Sequence, residues 1–191
     1  MILKKMKAQA VFHIRILFLL LIWVPPLFAA DARLARDGVE LFVSARTPEQ
    51  IGAFYAARGL PPAALQEISK VCFLTVGLHN KRNETLWLEP AQWRFTDAKG
   101  NTFSRIARPE WMARWTALQV PLAAQSTFNW TQLPESRDLY PDESVAGNVT
   151  IVPPSGNFSL MARFRTGADG KGKMIELMLP GLSCSGEGAA K

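Results

Sequence analysis

Hydrophobic residues follow three different patterns along the chain: a continuous apolar run, a helical period and a two-residue alternation. The apolar run covers residues 16–24. The helical period follows Thr47-Pro48, where a threonine cap, a proline in the first turn and Gln50 together form a helix start. A proline pair opens a second helical segment soon afterwards. We therefore predict two short helices near the front of the chain, at about 48–69.

From residue 71 onward the hydrophobic period changes from helical to alternating. Cys72, Leu74, Val76 and Leu78 lie on one side of the first such segment, and the same alternation recurs in later segments separated by turns. Roughly seven or eight short strands of this kind are typical of an antiparallel sandwich. We therefore predict a fold that is all-β with helical insertions.

The segment Ser126–Leu133 also reads as alternating. Phe128 and Trp130 share one side of it, and polar residues occupy the other side. This pattern predicts a strand. It places Trp130 in the sandwich core, together with Trp93 of an earlier strand.

Composition supports one folded domain and argues against nucleic-acid binding. The chain has 191 residues, of which 48% are hydrophobic and 10% aromatic, enough to bury a core. Its net charge is +6, but residues 1–30 hold four basic and no acidic side chains. The remainder carries 18 basic and 16 acidic side chains and lacks a concentrated basic face. We predict a single domain at 38–184.

The N-terminal residues have the order of a secretory signal: basic residues, the apolar run, a proline pair and then small residues. We predict a signal peptide at 1–30, with cleavage after Ala30 or Ala32. The apolar run is shorter than the about 20 residues that a spanning helix needs, so we expect no membrane span after cleavage. The mature protein is expected to be periplasmic or secreted, with a flexible tail at 185–191.

The two cysteines, Cys72 and Cys184, form an even pair. In an oxidising compartment such a pair usually forms a disulfide. A reactive thiol or a metal ligand is the alternative, but the sequence has no C-x-x-C motif to favour it. We predict a disulfide that ties the C-terminal end of the domain to an early strand.

Three short segments carry a resemblance to a known family. They lie at a strand end, in a hairpin and at the entry to a late strand: residues 76–80 (VGLHN), 95–101 (FTDAKGN) and 139–149 (LYPDESVAGNV). Together they make residues 71–165 similar to immunoglobulin-like domains of bacterial secreted proteins and lipoproteins, many of unassigned function. The resemblance implies an immunoglobulin-like sandwich and brings no catalytic residues. The two front helices and the tryptophan-containing insert depart from it.

The residues that could perform catalysis are sparse. His79 is the one histidine after the apolar run, and no nucleophile motif accompanies it. The loop carboxylates that could support a hydrolase are Glu135, Asp138, Asp142 and Glu143, but a cluster on one loop is usually a solvated surface. We expect a non-enzymatic protein without a cofactor or metal, and keep a carboxylate-based hydrolase as a distant alternative.

Tryptophans are the stronger functional signal. Pro109 can begin a short helix at about 109–116, on which Trp111 and Trp115 lie one turn apart. These two rings either close one end of the sandwich as a lid or form an exposed platform for a sugar or a partner. The candidate binding surface combines exposed rings with neighbouring arginines: Trp87, Trp111, Trp115, Arg108 and Arg114.

The last hairpin carries methionines on its outward side. The expected register places Met161 opposite Met178, Arg163 opposite Glu176 and Arg165 opposite Met174. We expect the helix at 48–58, through Ile51, Phe54 and Tyr55, to cover this face; otherwise it is exposed to a partner.

The sequence thus favours a secreted or periplasmic module for protein interaction or envelope assembly. The alternative is a carbohydrate-binding module that uses exposed tryptophans. The expected partner is a protein of the cell envelope or a glycan, and not a nucleic acid.

Overall fold

The computed structural model describes residues 32–184, in which the fold is mostly β. The predicted signal peptide at 1–30 and the predicted tail at 185–191 lie outside the described residues. Ten strands and four helices form within the described range. No helix in that range is both long and apolar enough to span a membrane.

The strands form two antiparallel sheets. Sheet A has the spatial order β1-β2-β3-β8, and its strands are β1 (Ala32–Arg36), β2 (Val39–Arg46), β3 (Cys72–Asn80) and β8 (Ser144–Ile151). Sheet B contains β4 (Leu86–Leu88), β5 (Arg94–Asp97), β6 (Thr102–Phe103), β7 (Arg137–Leu139), β9 (Phe158–Thr166) and β10 (Ile175–Leu182). In sheet B, β9 pairs with β10 along one edge and with β4 and β5 along the other. β1 was not predicted, and it extends the sandwich ahead of residue 38.

The inward-facing side chains of both sheets form one hydrophobic core, which makes the two sheets a sandwich. Alternation on each strand brings apolar residues to this side. Sheet A contributes residues such as Leu41, Leu74, Val76 and Val149, and sheet B contributes Trp93, Phe95, Leu160, Phe164 and Leu177. The predicted all-β fold with helical insertions is confirmed at this level, and Trp93 lies in the core as expected.

Two helices connect β2 to β3: α1 (Pro48–Ala56) and α2 (Pro62–Ser69). The predicted helix start is confirmed, because the Thr47 hydroxyl accepts a hydrogen bond from the Gln50 amide at 3.1 Å. The Gln50 side chain accepts one in return from the Thr47 amide, also at 3.1 Å. These two bonds form a capping box that fixes where α1 begins.

Two further helices lie between β6 and β7: α3 (Arg108–Ala117) and α4 (Leu122–Thr131). α3 agrees with the predicted insert. The predicted strand at Ser126–Leu133 is wrong, because most of this segment belongs to α4. Ala124 and Phe128, four residues apart, are buried on one side of the helix, so its period is helical.

The four helices pack on one end of the outer side of sheet A. Their buried side chains form a second hydrophobic cluster with Phe73 of β3, which points away from the inter-sheet core: Ile51, Tyr55, Leu60, Ala64, Ile68, Ile106, Trp111, Trp115, Val120, Ala124 and Phe128. Tyr55, Phe73 and Phe128 are in aromatic contact at its centre, with ring centroids 5.3–6.5 Å apart.

A disulfide joins Cys72, the first residue of β3, to Cys184, two residues beyond the end of β10. The two Cα atoms lie 5.5 Å apart, within the range for a disulfide. The bridge links the two sheets at the same end of β3 that the helices cover. The predicted pairing is therefore confirmed.

The last hairpin has the predicted register at two of three positions. Met161 pairs with Met178, and Arg163 pairs with Glu176, whose carboxylate accepts a 2.8 Å hydrogen bond. The prediction that α1 covers this methionine face is wrong. α1 packs instead on sheet A, and Met178 remains exposed.

The outer edge of β8 is covered by chain rather than open. The Leu133 amide donates to the Asn148 carbonyl at 2.9 Å, and the Ile106 amide donates to the Thr150 carbonyl at 2.7 Å. Gly147 permits this close approach, because a Cβ atom there would lie 2.4 Å from the Leu133 nitrogen. This edge is therefore blocked against pairing with another strand.

Candidate functional site

The helices leave one end of the outer side of sheet A uncovered. Residues that pair across antiparallel strands point to the same side of a sheet. Two such outward-facing rows cross this end, the first formed by Arg33, Phe42, Gly77 and Ala146 and the second by Ala35, Glu40, His79 and Ser144. Between them lies a groove of about 730 Å³, which we call the open groove.

The floor of the open groove is built from very small side chains. Gly77 of β3 and Ala146 of β8 lie opposite each other at its centre, and Phe42 of β2 stands beside them. A Cβ atom at Gly77 would approach the Phe42 ring at 3.6 Å, an ordinary contact distance. The groove exists because alternation places a glycine and an alanine where larger side chains would fill it.

Charged groups of both signs border the open groove. His79 Nε2 lies 2.9 Å from Asp142 Oδ1, and His79 Nδ1 lies 3.5 Å from Glu40 Oε2. Lys81 donates a 3.0 Å hydrogen bond to the same Asp142 oxygen. Bonds from Lys81 and then His79 hold the pKa of Asp142 below its ordinary value. On β1, the Arg33 guanidinium lies 4.8 Å from the centre of the Phe42 ring.

This arrangement can receive an apolar group and orient charged groups on either side of it. The Phe42 ring and the small floor provide apolar contact, while Arg33 can pair with an acid and Glu40 with a base. Its volume lies within the range of ~300–1,000 Å³ that is common for ligand sites.

The four loop carboxylates do not converge on one centre. Glu135 binds Arg105 and the Arg108 amide. Burial favours its neutral form, but the hydrogen bonds and charge from Arg105 outweigh burial, so its pKa is lowered. Asp142 binds Lys81 as described, Glu143 accepts from the Tyr140 amide, and Asp138 lies on β7. Within residues 32–184, no three His, Cys, Asp or Glu side chains are placed to hold a metal ion.

Trp111 and Trp115 are buried, with exposed fractions of 1% and 0%. Their rings stack with centroids 4.9 Å apart, and both contact Phe128 of α4. The Trp111 indole donates to Thr150 Oγ1 at 2.7 Å, which joins α3 to β8. The two rings form a lid on sheet A, and the prediction that they belong to an exposed binding surface is therefore wrong.

Of the other predicted surface residues, the two arginines lie on α3 with these rings, whereas Trp87 does not. Arg114 places its guanidinium 4.7 Å from the centre of the Trp111 ring, on α3. Arg108 is half-buried at the start of the same helix. Trp87 lies in sheet B, on the other side of the sandwich, where its indole donates to the Gly167 carbonyl at 2.7 Å. The structure thus separates Trp87 from the α3 residues.

Sequence reasoning missed two features. The open groove could have been found from small residues at outward strand positions, Gly77 and Ala146, but their opposition depends on strand pairing that the sequence does not specify. The prediction that Trp130 lies in the core is wrong, because Trp130 lies on α4 with an exposed fraction of 88%. Among the described large hydrophobic side chains it is the most exposed.

Comparison with known proteins yields only distant structural similarity. No family model matches the chain, and no curated protein is significantly similar to it. One similar solved structure is the yjhA protein from Bacillus subtilis, with 9% identity over 69% of this chain and 76% of that one, and a TM-score of 0.43. Another is a Northeast Structural Genomics Consortium target, with 10% identity over 85% and 87% of the two chains and a TM-score of 0.37.

Proposed function

We propose that this protein is a secreted or periplasmic, non-enzymatic interaction module that binds a protein partner of the cell envelope in the open groove. The observation that carries the proposal is the groove itself, a concave surface of about 730 Å³ on the outer side of sheet A. Exposed concave surfaces with an apolar floor and a polar rim are typical of binding sites.

The N-terminal sequence and the disulfide support the proposed compartment. The basic residues, apolar run and small residues of 1–30 have the order of a secretory signal. The Cys72–Cys184 bridge suits an oxidising compartment. Both features favour a place outside the cytosol.

The chemistry of the groove defines the partner segment. We expect one apolar side chain of the partner to rest against Phe42, above Gly77 and Ala146. An acidic group next to it would pair with Arg33, and a basic group on its other side would pair with Glu40. Such rim pairs mainly set orientation and specificity, whereas the buried apolar contact carries affinity.

The experiment fills the groove without disturbing the fold. Gly77 has ordinary φ and room for a side chain beside Phe42, so Gly77→Leu occupies the space that the partner needs. Gly52→Leu on α1 is the matched control, because nothing lies within 4 Å of a Cβ atom there. The full chain with a C-terminal tag is used to capture partners from an envelope extract, and captured proteins are compared by mass spectrometry.

A partner retained by the natural chain and by Gly52→Leu, but lost by Gly77→Leu, supports the proposal. Capture that is equal in all three chains, or lost equally in both variants, contradicts binding in the open groove. Circular dichroism of both variants establishes that a loss of binding is not a loss of folding.

The alternative of a carbohydrate-binding module built on Trp87, Trp111 and Trp115 is weakened by burial. Two of its three rings, Trp111 and Trp115, have no exposed face. Trp87 is half-buried and hydrogen-bonded to Gly167.

We infer further that the sandwich is immunoglobulin-like. The inference is supported by the three resembling segments, which lie at a strand end, in a hairpin and at a strand entry as predicted: the end of β3, the β5–β6 hairpin and the turn that enters β8. Two antiparallel sheets around one core also suit that fold. The insertion of α3 and α4 between β6 and β7 departs from it. An experimental structure, compared strand by strand with immunoglobulin-like domains, tests this inference.

A further inference from the structure

α4 presents Trp130 to solvent, so this side chain contributes little to the packing of the fold. Trp130 is 88% exposed in the last turn of the helix, whereas Phe128, two residues earlier, is fully buried. A tryptophan is among the side chains that gain most from burial. Its exposure leaves a flat apolar ring available to a ligand.

A concave surface of about 330 Å³ adjoins this ring. It is lined by one aromatic side chain, three polar or charged ones and a proline: Trp130, Arg108, Asn129, Gln132 and Pro134. It lies beside the start of α3 and the end of α4, apart from the residues that line the open groove. We call it the Trp130 site.

The polar groups of the Trp130 site are incompletely satisfied. Arg108 Nε and Asn129 Oδ1 are buried atoms without a hydrogen-bond partner among the described residues. The Asn129 amide donates at 3.0 Å to the sulfur of Met112, which is a weak acceptor. Unpaired buried polar atoms are uncommon and costly in folded proteins. A side-chain movement that turned these two atoms toward the Trp130 site would let them pair with a ligand.

We propose that the Trp130 site binds a saccharide. One face of a pyranose ring presents C–H groups, which pack on the electron-rich face of an indole. The hydroxyl groups around the ring need donors and acceptors at its edge, and Arg108 and Asn129 provide both. A saccharide requires a flat apolar surface bordered by planar polar side chains, and the Trp130 site has both. This proposal does not depend on the protein partner proposed for the open groove.

The test is isothermal titration calorimetry of the full chain after its signal, with cellobiose, chitobiose and digalacturonate as probes. These probes are neutral, N-acetylated and acidic. Trp130→Ala removes the ring, and Leu122→Ala is the matched control, because Leu122 lies on the same helix and is 79% exposed. Arg108→Gln removes a charged donor at the edge.

We expect at least one probe to bind saturably. Trp130→Ala should weaken that binding by about tenfold or more, as truncation of a central aromatic contact does, while Leu122→Ala leaves it unchanged. A larger effect of Arg108→Gln on digalacturonate than on the neutral probes would identify an acidic saccharide, and an equal effect a neutral one.

The proposal is overturned if none of the probes binds, or if Trp130→Ala binds as tightly as the natural chain. It is also overturned if Trp130→Ala abolishes capture of a protein partner while no saccharide binds, because the ring then serves a protein interface. If a protein partner is lost only in the Gly77→Leu variant, that result concerns binding in the open groove. It neither supports nor contradicts saccharide binding at the Trp130 site.

Discussion

The two ends of sheet A are built from the same strands but differ in what lies on their outer side. At one end, Phe73 of β3 points into the aromatic cluster of the four helices, and the neighbouring Cys72 carries the disulfide. At the other end, Gly77 and Ala146 form the floor of the open groove. We call these the covered end and the open end.

Side-chain size at outward positions accounts for this difference. Phe73 offers a large apolar surface, so helices that cover it gain the free energy of burying aromatic side chains. At the open end, Gly77 and Ala146 offer little apolar surface, and most of the larger outward side chains around them are polar or charged. Aromatic packing on the outer side of sheet A is therefore concentrated at the covered end, and the open end stays uncovered.

A polar network marks the border between the two ends. The Tyr55 hydroxyl lies 2.6 Å from Thr131 Oγ1 and accepts hydrogen bonds from Gln132 at 3.2 Å and from Asn148 at 3.3 Å. Asn148 also accepts from Thr75 at 3.1 Å. Burial raises the pKa of Tyr55, so the phenol stays protonated. The network joins α1 and α4 to the outer side of β3 and β8.

The largest effect is expected from the disulfide at the covered end. The bridge closes a loop with a sequence separation of 112. The chain-entropy estimate for a loop of this size is about 4–5 kcal/mol. Cys184→Ser should therefore lower the free energy of unfolding by about that amount, measured by urea denaturation without reductant.

Reductant provides the control for this prediction. It should destabilise the natural chain by a similar amount and leave Cys184→Ser unchanged. An equal response of both chains to reductant, or quantitative alkylation of Cys72 in the untreated natural chain, would contradict the bridge.

The aromatic lid is the next most sensitive feature. Trp115→Ala should cost about 3–5 kcal/mol, because it opens a cavity in the helical cluster. Trp115→Phe should cost less, since the Trp115 indole nitrogen has no hydrogen-bond partner among residues 32–184. Urea denaturation gives both values.

Trp130→Ala is the matched control for the lid, because it removes an exposed indole from the neighbouring helix. It should change stability by no more than about 0.5 kcal/mol. Similar costs for Trp115→Ala and Trp130→Ala would contradict the distinction between the buried and exposed tryptophans.

The features that the sequence predicted correctly depend on local spacing or on composition. The α1 start requires only Thr47, Pro48 and Gln50, and these lie within one turn. The disulfide was predictable from an even pair of cysteines and an N-terminal sequence that has the order of a secretory signal. The register of Met161 with Met178 follows from one hairpin, whose two strands are consecutive in the sequence.

The failures arise where tertiary contacts decide between two patterns. In α4, Phe128 and Trp130 alternate, which suggests a strand, while Ala124 and Phe128 have helical spacing. Packing of Phe128 against Tyr55, Trp111 and Trp115 selects the helix. The position of α1 over sheet A, rather than over the methionine face, likewise depends on Phe73, which no local pattern connects to α1.

At the boundary between the two ends, Gly147→Ala should cost about 1–3 kcal/mol. The added Cβ would lie 2.4 Å from the Leu133 nitrogen and 2.6 Å from its Cα, so the backbone that covers the edge of β8 must move. Gly77→Ala is the matched control one row away, since its Cβ meets only the Phe42 side chain at 3.6 Å. Urea denaturation should separate the two variants, and equal costs would contradict the close approach at Gly147.

Tyr55→Phe should have a smaller effect, about 0.5–1.5 kcal/mol, because it removes one buried hydroxyl and keeps the ring. Thr131, Gln132 and Asn148 then lose a common partner. Phe54→Leu provides a control on the same helix for a change that leaves the network intact. Hydrogen exchange of α4 amides should increase in Tyr55→Phe alone; unchanged exchange would contradict a network that holds α4 to the sheet.

The smallest effect is expected at the open end, from Asp142. Its pKa is lowered by Lys81 and His79, so its contribution to stability is present above the unfolded pKa of about 3.9 and is lost as pH falls through the lower folded value. Asp142→Asn removes the charge while keeping a residue that tolerates the left-handed backbone found here, with φ of 62°. The urea midpoint of Asp142→Asn should lie slightly below that of the natural chain at pH 7. The difference should shrink as the pH falls below the ordinary aspartate pKa of about 3.9, and it should also shrink in high salt. A difference that is unchanged by acid or salt would show that Asp142 acts through the backbone of its turn rather than through its charge. It would then contradict a stabilising ionic role for Asp142 at the border of the open groove.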